Sequence, residues 1–184
     1  MRIYYGIEDA AKELSCSVVS VGSFDGVHAG HRTLISRMNE YRDELNRGGC
    51  DASSVVVTFM PHPRQVLGSG VSLLNTVEEK ALLMEECGLD AIVVLRFDED
   101  LRSMHSSEFF DMLCGRIGMK VLVGGYDHRF GCDGARGEQA LTALGERYGV
   151  VTEVMPEYEV AGAHVSSTEV RKAMLQGDMT SLQP

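Results

Sequence analysis

Five short apolar runs, at 18–21, 55–59, 91–97, 121–124 and 150–155, alternate along this chain with segments whose apolar residues recur at helical spacing. Strands separated by helix-length segments are joined by crossovers and run the same way. The expected fold is therefore α/β, a Rossmann-like, doubly wound parallel sheet of about five or six strands. Between the first two runs, Leu34, Ile35, Met38, Tyr41 and Leu45 recur every three or four residues, and Gly48-Gly49 closes the helix. Thr76 caps the next helix, with Glu78 and Glu79 in its first turn and Gly88 at its end. Ser106-Ser107-Glu108 reads as the cap of a helix carrying Phe109, Phe110, Met112, Leu113 and Ile117, and residues 137–148 and 167–176 supply two more.

A chain of 184 residues with 44% hydrophobic content has enough apolar surface to bury a core as one globular domain. Its net charge of −10 repels polyanions, which disfavours nucleic acid and anionic membrane as partners and requires any phosphate to be gripped locally. No apolar run approaches the roughly 18 to 20 residues of a membrane span, and Met1-Arg2-Ile3-Tyr4-Tyr5 lacks a signal peptide's apolar stretch, so a cytoplasmic protein is expected. Cys16, Cys50, Cys87, Cys114 and Cys132 stand singly and read as reduced thiols. Oligomeric state is not encoded in any of these features.

The chemistry concentrates where strands end. Gly22-Ser23-Phe24-Asp25-Gly26-Val27-His28-Ala29-Gly30-His31 follows the first strand and opens the first long helix, where free backbone N–H groups receive anions. His28 and His31 project there as donors to phosphate oxygens, and Gly30 permits close approach. The spacing lacks the four-residue interval and adjacent Glu of a zinc-protease helix. A second group, Val165-Ser166-Ser167-Thr168-Glu169-Val170-Arg171, offers hydroxyls and a guanidinium for terminal phosphates, although Ser-Ser-Thr-Glu is equally an ordinary helix cap. A third, Val123-Gly124-Gly125-Tyr126-Asp127-His128-Arg129-Phe130-Gly131, running on to Gly134-Ala135-Arg136-Gly137, suits close approach to a planar base, with Asp127 able to accept from a ribose or support Mg2+ and Arg129 and Arg136 either solvated or at the nucleotide. A fourth, Thr58-Phe59-Met60-Pro61-His62-Pro63-Arg64, makes a stiff corner with an aromatic beside it, either a wall for a flat ring or a plain turn at the edge of the sheet. Residues 61–75 form the longest irregular stretch, a length more often functional than idle. His105 and His164 read as ordinary polar residues.

The runs GSFDGVHAGH, TFMPHPRQVL, LNTVEEKALL, VGGYDHRFGCDGARG and VSSTEVRKAM, in this order, resemble the adenylyltransferase domain of the prokaryotic FAD synthetases, bifunctional riboflavin kinase/FMN adenylyltransferases of the HxGH nucleotidyltransferase superfamily. The resemblance implies transfer of AMP from ATP to FMN, giving FAD and pyrophosphate, with Mg2+ accompanying ATP. It implies that His28, His31, Ser167, Thr168 and Arg171 are catalytic. The ATP site would comprise Gly22, Ser23, Phe24, Asp25, Gly26, His28, Gly30, His31, Gly124, Asp127, Arg129, Ser167, Thr168 and Arg171. Phe59, Pro61, His62, Pro63 and Arg64 would border FMN.

Two departures stand out. His128 occupies a position where many relatives carry Phe, and nothing in residues 1–184 corresponds to the family's riboflavin kinase domain, so either these residues are a piece of a longer protein or the protein adenylylates without phosphorylating riboflavin, and no kinase activity is expected of the 184 residues themselves. The rival readings are another HxGH nucleotidyltransferase, acting on pantetheine phosphate, nicotinate mononucleotide or glycerol phosphate, and a flavin or nucleotide sensor without turnover.

Overall fold

The computed structural model describes residues 1–68, 72–126, 128–160, 163–164 and 166–177. In chain order they form β1 (Arg2–Tyr5), α1 (Ile7–Ala10), β2 (Ser17–Val21), α2 (Ala29–Arg47), β3 (Ser53–Met60), α3 (Pro63–Val66), α4 (Val77–Glu85), β4 (Ala91–Arg96) and α5 (Glu99–Ser103). There follow α6 (Ser106–Ile117), β5 (Met119–Gly125), β6 (Arg129–Phe130), β7 (Ala135–Arg136), α7 (Gly137–Tyr148), β8 (Val151–Met155), β9 (Glu159–Val160), β10 (Ala163–His164) and α8 (Ser167–Gln176). Six strands make one sheet in the order β1-β4-β3-β2-β5-β8, parallel throughout, and β6/β7 and β9/β10 form small antiparallel ribbons.

Both faces of the sheet are covered, which explains the unbroken apolar runs of β3 and β4. Side chains alternate across the strands. Val19, Val21, Val55, Val57, Val93 and Leu95 point to the layer of α1, α6 and α7, where Phe109, Phe110, Leu113, Ile117 and Leu141 complete a core. Val18, Val56, Ile92, Val94, Val121 and Val123 point the other way, onto Leu34, Ile35 and Met38 of α2 and Ala81 and Met84 of α4.

The doubly wound expectation is met, with refinements. β1 was not anticipated: it is an edge strand of alternating exposure in which Tyr4 alone is buried, so it carries no apolar run to read. His105, not Ser106, is the N-cap of α6, its amide donating to Glu108 Oε2 at 2.8 Å, and Ser106 is the first helical residue. The stretch 61–75 contains α3, begun by Pro63 at the first helical position and capped by His62 Nδ1, which accepts from the Arg64 amide at 3.1 Å.

The order of winding reverses between β2 and β5. Chain after β2 proceeds outward through β3 and β4, whereas β5 and β8 lie on the opposite side of β2. Ligands of such sheets gather at the carboxyl ends of strands beside this reversal.

Candidate active site

A cavity of about 400 Å³ opens at that point. Its floor is the carboxyl end of β2 and the turn into α2: Ser20, Val21, Gly22, Ser23, Phe24, Asp25, His28, Gly30 and His31. From the β3 side come Phe59, His62 and Arg64; from beyond β5, Gly125, Tyr126, His128 and Arg129; and from α8 with its cap, Ser166, Ser167, Thr168 and Arg171. The two imidazoles near the start of the chain and the guanidinium near its end thus converge on one space.

The β2–α2 turn is strained in the way functional turns are. Phe24 has φ 47° and Val27 φ 36°, unfavourable for residues with side chains and most of all for a β-branched one. Such a backbone typically costs on the order of 1 to 3 kcal/mol per residue and persists where packing over-determines it. Phe24 and Val27 are both buried in the core beneath α2, which supplies that packing. Gly26 at φ 88° has no room for a Cβ, which would fall 2.7 Å from Leu74 Cδ1.

His28 occupies the N-cap of α2 without a side-chain cap bond, and its ring stacks on His31 at 3.7 Å between centroids. Phe24 lies 4.9 Å from the His31 ring on a tilted plane. Burial pushes the His31 imidazole well below its ordinary pKa, helped by His28 and by the Lys80 ammonium, so it is neutral at pH 7 and carries one N–H. Its buried Nδ1 has no partner among the described residues. Gly30 serves this packing: a Cβ there would meet the His28 ring at 3.3 Å and Tyr158 Cβ at 3.2 Å.

Asp25 organises the opposite wall. Its carboxylate, 2% exposed, accepts from Arg171 Nη2 at 2.5 Å, from the Leu74 amide at 2.9 Å and from the Asn75 amide at 3.3 Å. Its backbone carbonyl accepts from Ser167 Oγ at 2.7 Å. Arg171 Nε donates to Ser72 O at 2.9 Å, and Nη1 is not used by these contacts. The capping role that the sequence leaves open for the Ser-Ser-Thr group falls to Ser166, whose Oγ accepts from the Glu169 amide at 3.4 Å, leaving Ser167 and Thr168 to face the cavity.

Lys80 was missed by sequence reasoning. It is 6% exposed on α4, donates to Ser23 O and lies 3.5 Å from Thr58 Oγ1, which itself donates to Ser23 O at 3.3 Å. A buried ammonium thus sits directly behind the Gly22-Ser23 turn. Burial lowers its pKa, with the Asp25 carboxylate opposing the shift. The available signal was a lysine beside Ala81 and four residues before Met84, on the apolar face of its helix. Tyr126, from the third group, lines the cavity, and so do Met155 and Tyr158, which belonged to none of the four groups.

Other expected residues are placed differently. Gly124 does not line the cavity; Gly125 does, and Gly124 backs the His128 ring, which a Cβ would approach to 3.4 Å. Gly26 provides backbone conformation. Pro61 faces a separate hollow with Tyr5, Gly6, Met60, Val94 and Arg96, and Pro63 initiates α3, so Phe59, His62 and Arg64 are the members of that corner that reach the main cavity. His128 stacks on Phe130 at 4.2 Å, and burial drops its pKa to about 4. Asp127 and Val165 lie outside the described residues.

The FAD synthetase family model matches residues 10–169. A bifunctional riboflavin kinase/FMN adenylyltransferase from Pseudomonas fluorescens is 33% identical over 97% of this chain and 56% of its own length; one from Escherichia coli strain K12 is 29% identical over 97% and 57%. The chain therefore spans about half the length of the curated relatives it matches. A solved structure titled macrolide-efflux protein, from Streptococcus pneumoniae, has a TM-score of 0.84 over 99% of this chain and 59% of that one at 24% identity, a likeness of fold. With the family match running through every segment from β2 to the cap of α8 that builds the cavity, the chain belongs to the FAD synthetase family.

Proposed function

We propose that residues 1–184 form an FMN adenylyltransferase unit acting in the cytoplasm, transferring AMP from ATP to FMN. A phosphate oxygen of FMN attacks the α-phosphorus of ATP, the bond to the bridging oxygen of the β-phosphate breaks, and FAD and pyrophosphate result. Little covalent chemistry is asked of the protein: positioning and charge stabilisation dominate such transfers. His28, His31 and the free amides of α2 receive the phosphates where negative charge develops. Ser167, Thr168 and Arg171 hold the far end of the triphosphate, with Gly22, Ser23, Phe24 and Arg129 around the nucleotide. Phe59, His62 and Arg64 border the FMN.

The observation that carries this reading is the convergence of His28 and His31 with Ser167, Thr168 and Arg171 on one cavity. Mg2+ is expected to arrive on ATP. The one acid lining the cavity among the described residues is Asp25, and its carboxylate is committed to Arg171 and two amides, a poor ligand for a second cation.

Pyrophosphate release with Mg2+ and ATP, measured with FMN, riboflavin, phosphopantetheine and nicotinate mononucleotide in parallel, tests the assignment. FAD formed with FMN is the expected result. Turnover of a non-flavin acceptor instead would reassign the substrate, and ATP or FAD binding without pyrophosphate would make the protein a sensor.

A further inference from the structure

Outside the cavity, three metal-ligating side chains from two separated segments meet on the surface. A donor nitrogen of His105, the Sγ of Cys132 and a carboxylate oxygen of Asp133 lie within 4.8 Å of one another. The sequence reads His105 as an ordinary polar residue, since it stands in no motif, and Cys132 as an incidental thiol, since no second cysteine is paired with it; the two are 27 positions apart in the chain. We propose that these three side chains form a binding site for a thiophilic divalent cation, of which Zn2+ is the natural occupant.

The donor chemistry selects the ion. One imidazole, one thiolate and one carboxylate suit Zn2+, whereas Mg2+ and Ca2+ take oxygen ligands. Bonds of about 2.0 to 2.3 Å arranged tetrahedrally place ligand atoms roughly 3.3 to 3.8 Å apart. His105 Nδ1 and Asp133 Oδ2 are already 3.4 Å apart. The remaining closure falls to the exposed His105 and Cys132 side chains. Three protein donors leave the fourth position to water.

The backbone beneath is firmly held on both sides. Cys132 N–H donates to Met104 O at 2.9 Å, tying the β6–β7 turn to the residue before His105. Gly131, at φ 64°, presses so closely on the start of α6 that a Cβ would fall 2.3 Å from the Ser106 nitrogen. Asp133 Oδ1 accepts from Ser106 N at 3.0 Å and Oδ2 from Ser106 Oγ at 2.7 Å. Those contacts orient the carboxylate as outer-shell partners orient metal ligands, while a carboxylate retains further lone pairs for an ion. On binding, the Cys132 thiol gives up its proton to solvent and the sulfur bonds the cation. The ion would pin the hairpin that carries Arg129 to the start of α6.

Titration of the whole chain with Co2+, followed by displacement with Zn2+, tests the site. One equivalent should bind with a thiolate-to-cobalt charge-transfer band that Zn2+ abolishes. C132S should lose the band, H105Q should weaken binding at least tenfold, and C50S, which removes an exposed thiol elsewhere, should behave as the parent. Thermal unfolding of the metal-free variants checks that each folds, because both His105 and Cys132 are exposed. No band in the parent, a band surviving C132S or lost in C50S, or parental affinity in H105Q would overturn the proposal.

Discussion

Residues 22–31 reach the cavity as the direct continuation of a buried strand, whereas Ser167, Thr168 and Arg171 reach it on a helix that buries little beyond Ala173. The first wall inherits its position from the sheet: Gly22 N–H still bonds Val57 O at 3.0 Å, and Phe24 and Val27 are locked into the core. The second wall depends on polar ties, Ser167 to the Asp25 carbonyl and Arg171 to the Asp25 carboxylate. One site is thus assembled by two kinds of force. Apolar packing places the groups assigned to the reacting phosphorus, and a single buried acid brings the others to them.

Removing the acid should hurt most. D25N leaves the Arg171 guanidinium without its carboxylate in a setting where it is 17% exposed, and a broken buried pair typically costs about 3 to 5 kcal/mol. Urea unfolding should report that loss, and D25N/R171M should recover part of it. Equal stability of D25N and the parent would mean that α8 is positioned by something else.

H31A probes the other wall. It should raise the barrier to adenylyl transfer by roughly 2.7 to 4 kcal/mol if the imidazole acts as a preorganised donor, with FMN affinity little changed. A rate within twofold of the parent would remove His31 from the chemistry.

Imidazoles lining the cavity also make stability depend on pH. An unfolded histidine titrates near 6.5, while folded His128 titrates at about 4, so between those values the unfolded chain binds a proton that the folded chain refuses. Stability should therefore be full above about pH 6.5, fall as pH drops toward 4, and stay lost below. For His128 the limit is on the order of 3 kcal/mol. His31 and His62, also lowered chiefly by burial, act in the same direction. H128F should flatten the urea midpoint between pH 7 and 4.5 relative to the parent; an unchanged slope would show that His128 is not the group responsible.

K80M is expected to have the smallest effect, about 1 to 3 kcal/mol in stability for the lost ammonium donor to Ser23 O. K80R should restore part of it. A raised KM for ATP alongside that loss would place Lys80 with the first wall, by positioning the Gly22-Ser23 turn.

Much of this arrangement was legible before folding. The alternation of apolar runs with helical spacing dictated a parallel sheet, and the glycine-rich turn between a strand and a helix marked the place where the cavity opens, because both follow from local periodicity and backbone chemistry. The structure of β1 was not legible, since an edge strand with one buried side chain leaves no apolar trace. Nor was Lys80, whose burial depends on Ser23 and Thr58, tens of residues away in the chain.

Residue types and their local spacing determined which groups stand at strand ends and helix starts, because those positions are set within a few residues. Tertiary structure alone decided that Asp25 would spend its charge on Arg171, that Gly30 would make room for a histidine ring and Tyr158, and that His105 would lie beside Cys132. Each of these depends on where distant segments are brought by the burial of apolar surface, and that is a property of the whole packed chain.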